Sequence, residues 1–229
     1  ILIYLQWDEP FASNGAGAAG AVSDYDMVLR DDANNTVLAS SLVNNVGGNP
    51  FEIIDYTNDT GVAQTLSLAV YKFSGNDAGL LKIAFSGVSS NFQETNGLGA
   101  EFSSSTSQGH SNAEGALSVG ASAYFNTPNF GDDPAILNSF SSIGETPILF
   151  DDLGTRLNQP ILRGGPDFVA PDGTDTSFFG SSDVDNTGFP NFFGTSAAAP
   201  HAAAVVALML EANPDLTPDQ VEQIIESTA

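Results

Sequence analysis

Apolar and polar residues alternate with a period of two in Tyr25-Asp26-Met27-Val28-Leu29 and in Leu66-Ser67-Leu68-Ala69-Val70. That period predicts strands with one wet and one buried face. Phe51-Glu52-Ile53-Ile54 and Leu80-Leu81-Lys82-Ile83-Ala84-Phe85 are further strand-like runs, and the opening Ile1-Leu2-Ile3-Tyr4-Leu5-Gln6-Trp7 reads as a strand already under way. Turn-forming clusters separate them at Ser13-Asn14-Gly15, at 31–35, at 44–48 and at Ser74-Gly75-Asn76-Asp77. No helix-period segment interrupts them. Residues 1 to about 100 therefore predict an all-β sandwich or jelly roll.

The pattern changes after 91–112, a Ser/Gly/Thr/Asn-rich stretch that reads as a linker. Ala116-Leu117-Ser118-Val119-Gly120-Ala121 and Phe168-Val169-Ala170, the latter closed by Pro171, are short buried-strand candidates. A helix is predicted from about Thr195 to Ala212; it is apolar on nearly every face, which predicts a central helix with no wet side. A second helix opens on Thr217-Pro218, with Gln220 completing a capping box and Leu216 and Val221 placed as a hydrophobic staple. Val221, Ile224 and Ile225 make its apolar stripe. The domain reading is thus 1–100, a β domain, and 101–229, a second domain of short buried strands and two helices.

Twenty-eight acidic residues against five basic ones give a formal charge of −23. Such a surface repels nucleic acid and anionic lipid. No apolar stretch reads as long or unbroken enough to span a bilayer, and no signal peptide is evident. Cysteine is absent, which excludes disulfides, thiol nucleophiles and thiolate metal sites.

The chemistry concentrates in Gly194-Thr195-Ser196-Ala197-Ala198-Ala199-Pro200-His201. A serine at the head of a helix meets the positive end of the dipole and free backbone N–H groups able to hold an oxyanion. The segment resembles the nucleophile motif of the subtilisin-like serine proteases, the subtilases. Three other segments are similar to that family in the same order: Val119-Gly120-Ala121, Phe140-Ser141-Ser142, and Pro166-Asp167-Phe168-Val169-Ala170-Pro171. The resemblance implies the C-terminal half of a subtilase catalytic domain from about 109 onwards, part of a three-layer α/β fold with a parallel sheet and a central helix.

By that resemblance Ser196 is the catalytic nucleophile of peptide-bond hydrolysis through an acyl-enzyme. Thr195 supports the oxyanion hole, and Gly194 lets the backbone turn before the helix. Phe192 and Phe193 either contact substrate or pack in the core. Pro200 is expected in the first helical turn, where its missing N–H costs little, and His201 is expected as a packed histidine. Asp172, between Pro171 and Gly173, stands as a local insertion.

The family's catalytic aspartate and histidine and its oxyanion asparagine have no counterparts. Asp59-Thr60-Gly61 and His110 stand in the right order before Ser196. The aspartate follows no apolar strand, however, and His110 precedes Ser111-Asn112, so both are rejected. The expectation is a fragment of a secreted, extracellular serine endopeptidase acting on protein or peptide. Its acid and base would lie upstream, and it would pair with its missing N-terminal half or with a second copy. A sedolisin-like peptidase and a non-catalytic scaffold retaining the fold are the alternatives. The β region resembles more loosely the jelly-roll modules of secreted bacterial proteases through Ser23-Asp24-Tyr25-Asp26-Met27-Val28-Leu29. Asp24 and Asp26, expected on one strand face, are either solvated carboxylates or ligands of a structural calcium ion (Ca2+). Asp183-Val184-Asp185-Asn186-Thr187-Gly188 resembles a calcium loop but lacks its closing acidic residue.

Overall fold

The computed structural model describes residues 1–14, 17–87, 104–180 and 182–228. In chain order the strands are β1 (Leu2–Trp7), β2 (Asp24–Asp31), β3 (Thr36–Ser41), β4 (Phe51–Asp55), β5 (Leu66–Ser74), β6 (Leu81–Ser86), β7 (Val119–Ala123), β8 (Thr146–Phe150), β9 (Arg156–Arg163), β10 (Phe168–Asp172), β11 (Thr174–Asp175) and β12 (Asn191–Phe192). The helices are α1 (Thr195–Ala212) and α2 (Pro218–Thr228). Contacts group the chain into two units, Ile1–Phe102 with Ile148–Ile161, and Ser103–Pro147 with Leu162–Ala229. The stretch expected as a linker falls outside the described residues up to 103; beyond it, Gly109–Asn112 forms a 3-10 turn.

The first unit holds two three-stranded antiparallel sheets, ordered β4-β1-β6 and β3-β2-β5. Alternation puts Ile3, Leu5 and Trp7 of β1 and Tyr25, Met27 and Leu29 of β2 into one buried cluster with Ile54 and Ala21. Trp7 and Tyr25 stack there at 5.2 Å between ring centroids. The β2–β3 turn is closed by side chains: Asp31 Oδ1 accepts the Ala33 N–H and Asn34 Oδ1 the Thr36 N–H, both at 2.9 Å. β3 itself, with only partial burial, carries no alternation strong enough to predict it. Arg156 of the β8–β9 hairpin lies 5.0 Å from the Phe150 ring centroid and pairs with Asp8 at 2.6 Å.

In the second unit β10 runs parallel to β7, with Ala170 opposite Ala121 and Asp172 opposite Ala123. The strand does not stop at Pro171, contrary to the expectation. β7–β10 is a two-stranded ladder, so a proline N can face the unpaired side without breaking a ladder bond. α1 rests on both strands through Ala198 and Ala202 against Ala121 and Ala170, flanked by Val119 and Phe168. Four alanines allow helix and sheet to approach closely, at a cost in buried area: a methyl contributes only on the order of 0.8 kcal/mol.

The hydrophobic pattern predicts α1 buried all round. Instead only Ala197, Ala198 and Ala202 are buried, while Val205 and Leu208 are 51% and 64% exposed. The helix also corrects the expectation that no segment could cross a bilayer. Its 18 residues, at a mean hydropathy of 1.2, are long and apolar enough by length and composition alone. Its packing on β7 and β10 is what a core helix with one covered side provides. α2 has the expected start: Gln220 Oε1 accepts the Thr217 N–H at 2.9 Å and Thr217 Oγ1 the Gln220 N–H at 3.3 Å. Val221 is its buried residue.

Candidate active site

Ser196 is the second residue of α1, and its side chain is exposed. Among the described residues its hydroxyl has no hydrogen-bond partner, and neither do the N–H groups of Thr195 and Ser196. The next two N–H groups, of Ala197 and Ala198, both point to the Gly194 carbonyl at 2.9 and 3.2 Å. The helix thus opens with two unspent donors at its positive end, beside a free hydroxyl. Pro200 is the sixth helical residue, inside the helix rather than in its first turn. It withholds the N–H that would otherwise bond the Ser196 carbonyl.

Gly194 enters the helix at φ 132° and ψ 156°, a conformation that glycine alone adopts freely. Its N–H donates to Asp172 Oδ2 at 2.6 Å. Asp172 is fully buried at the end of β10, and its other oxygen accepts from Asn138 Nδ2 at 2.9 Å. The residue expected as a mere local insertion is therefore an internal carboxylate. Nothing local in the sequence could have shown this, because Asn138 lies 34 residues away.

Phe192 ends β12, half-buried, with its ring 4.5 Å from that of Phe179. Phe193 is 37% exposed and meets Phe125 edge-on at 6.3 Å. Phe125 and Phe130 each pack edge-on to Tyr124, at 5.1 and 5.4 Å, so an aromatic row runs back from the residue preceding Gly194. No sequence signal announces that row, because Tyr124–Asn126 and Pro128–Phe130 are isolated 3-10 turns. Asn191, buried, braces the same region. Its Nδ2 donates to the Gly173 carbonyl, Asp175 and Asp185, and its Oδ1 accepts the Val184 N–H at 2.7 Å.

The two histidines are accounted for. His201 Nδ1 lies 2.8 Å from the Pro171 carbonyl, so Nδ1 carries the proton and ties α1 to β10. His110 sits exposed in the 3-10 turn, and among the described residues no hydrogen bond joins either histidine to Ser196. Asp59 belongs to an exposed turn organised by Asn58, whose Oδ1 accepts the Thr60 N–H and hydroxyl at 3.1 and 2.6 Å.

Asp24 and Asp26 do not share a solvated face. A register shift between Asp24 and Tyr25 interrupts the alternation of β2, so Asp24 is 4% exposed and Asp26 half-buried. Asp24 Oδ1 accepts the Asn45 N–H at 3.2 Å. Burial, and then the Asp24 charge, push Asp26 above the usual carboxylate range. Among the described residues no three His, Asp or Glu side chains gather to hold a metal ion, so the pair meets a hard cation's needs only in part. In the 183–188 loop both Asp183 oxygens accept N–H groups of their own loop, from Thr187 and Gly188. Asp185 accepts the Tyr124 hydroxyl at 2.7 Å, and that bond holds it below its ordinary value.

The site is a parallel β-pair covered on one side by a helix, which opens on an exposed serine and two N–H groups without a partner among the described residues. The Subtilase family profile matches residues 32–229, and the chain belongs to that family, whose members are serine peptidases. The match reaches back into the first unit, well beyond the motifs around Ser196. No curated protein and no solved structure matches the chain.

Proposed function

We propose that this chain carries the nucleophile of an extracellular serine endopeptidase, and that the catalytic aspartate and histidine come from outside these 229 residues. The observation that carries the reading is the free Ser196 hydroxyl beside the unspent N–H groups of Thr195 and Ser196, in a chain whose two histidines are engaged elsewhere or exposed. Ser196 Oγ attacks the scissile carbonyl as the incoming base takes its proton. The Ser196 N–H, supported by Thr195, holds the oxyanion. The tetrahedral adduct expels the amine, which leaves with the proton from the base, and water hydrolyses the acyl-enzyme. Gly194 sets the approach of the backbone, and Phe192 and Phe193 flank the leaving-group side of a peptide substrate.

In this reading the first unit is an inserted β module of the jelly-roll type, with Asp24 and Asp26 drawing a structural calcium ion that relieves their mutual repulsion. The bare side of α1 is covered by the remainder of the catalytic domain, with a second copy of the chain as the other candidate. The strongly acidic surface keeps nucleic acid and anionic membrane from being partners.

The test is reaction of the full-length gene product with a serine-directed fluorophosphonate, followed by peptide mapping. Label on Ser196, lost in Ser196→Ala, is the expected result. No label in a folded full-length protein would overturn the peptidase reading in favour of a scaffold that kept the fold.

A further inference from the structure

We propose that Asp172 is a positioning residue for Ser196, acting through Gly194; the inference rests on Ser196 being the nucleophile. Asp172 is fully buried, and a buried carboxylate persists only where hydrogen bonds replace its lost hydration. Both of its oxygens are spent on donors: Oδ2 on the Gly194 N–H at 2.6 Å, and Oδ1 on Asn138 Nδ2 at 2.9 Å. Asn138 is itself anchored to β7, because its N–H donates to the Ala121 carbonyl at 2.8 Å. Its own carbonyl accepts the Ser141 N–H at 2.9 Å, and Ser141 Oγ accepts the Ala121 N–H at 3.0 Å. A relay therefore runs from β7 through Asn138 to the end of β10 and on to the peptide entering α1.

That peptide is the one whose direction decides where the next two N–H groups point. Among the described residues the Thr195 and Ser196 donors have no partner of their own to hold them. The Asp172–Gly194 bond fixes the turn from which they project, and the carboxylate charge favours the N-terminal end of the helix. Asp172 thereby orients the oxyanion donors without touching substrate.

The relay has a polarity that an experiment can invert. As they stand, both partners of Asp172 are donors, and a carboxylate offers both of the acceptors they need. Asp172→Asn keeps the pairing once the Asn138 amide turns over, so on its own it is close to neutral. Asn138→Asp sets two carboxylates against each other. Combining the two substitutions restores the pairing. The side-chain carbonyl of the introduced asparagine accepts from Gly194, and its amide donates to the introduced carboxylate.

The measurement is kcat and KM of the full-length protein on a peptide substrate, normalised to phosphonate-titrated active sites, with a thermal melt on each variant. Asn138→Asp is expected to lose kcat by about tenfold or more with KM within about twofold, and the double variant with Asp172→Asn to return to within about threefold of wild type. Wild-type kcat in Asn138→Asp, or a double variant as impaired as Asn138→Asp alone, would overturn the proposal. If Asn138→Asp does not fold, the double variant decides alone: near-wild-type kcat supports the relay, and less than about a tenth refutes it. An unlabelled Ser196 in the wild type, seen before any variant is made, would refute the nucleophile reading itself and this one with it.

Discussion

Replacing Gly173 by alanine strikes the junction between β10 and the aromatic row. Gly173 has φ +74°, and a Cβ there would lie 2.5 Å from Phe193 Cε1 and 3.0 Å from Cδ1 and Cζ. The left-handed backbone costs a residue with a Cβ about 1–2 kcal/mol. Carbon pairs settle near 3.5–4.0 Å, so the Phe193 ring must retreat by about 1 Å. Retreat forfeits the edge-on contact with Phe125, a further 0.5–1.5 kcal/mol or so. The sum is about 1.5–3.5 kcal/mol, which lowers Tm by about 3–14 °C in a chain of this size. Both helices share the second unit with Gly173, so helical circular dichroism reports the transition. In a Phe193→Ala background the ring is gone and only the backbone part, about 1–2 kcal/mol, should remain. A cost below about 0.5 kcal/mol, or an equal cost in both backgrounds, would refute the steric reasoning.

Three further outcomes are expected. Met27→Ala, at a fully buried position beside Trp7, should cost about 2–5 kcal/mol in urea unfolding followed by tryptophan fluorescence, Trp7 being the chain's one tryptophan. Burial pushes Glu52 above the usual carboxylate range, despite the Ser41 hydroxyl on its Oε2, so the folded state holds the proton more tightly than the unfolded state. Its contribution is therefore complete below the unfolded pKa and lost as pH rises through the folded one; Glu52→Gln should flatten that decline when urea midpoints are compared at acid and neutral pH. Asp185 is held low chiefly by the Tyr124 hydroxyl, a contribution present above its unfolded pKa and lost as pH falls through the folded one. Tyr124→Phe should move the Asp185 carboxyl titration, followed by NMR, up towards its ordinary value; an unmoved titration would assign the shift elsewhere.

What could be read in advance follows the range of the forces involved. Strands β2 and β5 were legible because alternation is a local property, and α2 because its capping box spans only Thr217 to Gln220. β11 and β12, two residues each, have no period to detect. The burial of Asp24 depends on a register shift that its neighbours do not encode. Composition predicts α1 wet nowhere because it reports what a helix can bury. Contact with β7 and β10 decides what it does bury, and that is only a seam of alanines. At the candidate site, Ser196 is singled out by its sequence neighbours. Asp172 is not, since its meaning comes from Gly194, 22 residues on, and from Asn138, 34 residues back.

Pro200 gives the site an unusual mechanical boundary. With no N–H at that position, the Ser196 carbonyl lacks the bond that would fasten it to the following turn, while the Gly194 N–H ahead of it is fastened to the end of β10. Ser196 is thus suspended from the sheet more than it is carried by the helix. Bending or sliding of α1 along its bare side would be absorbed at Pro200 before it reached Ser196.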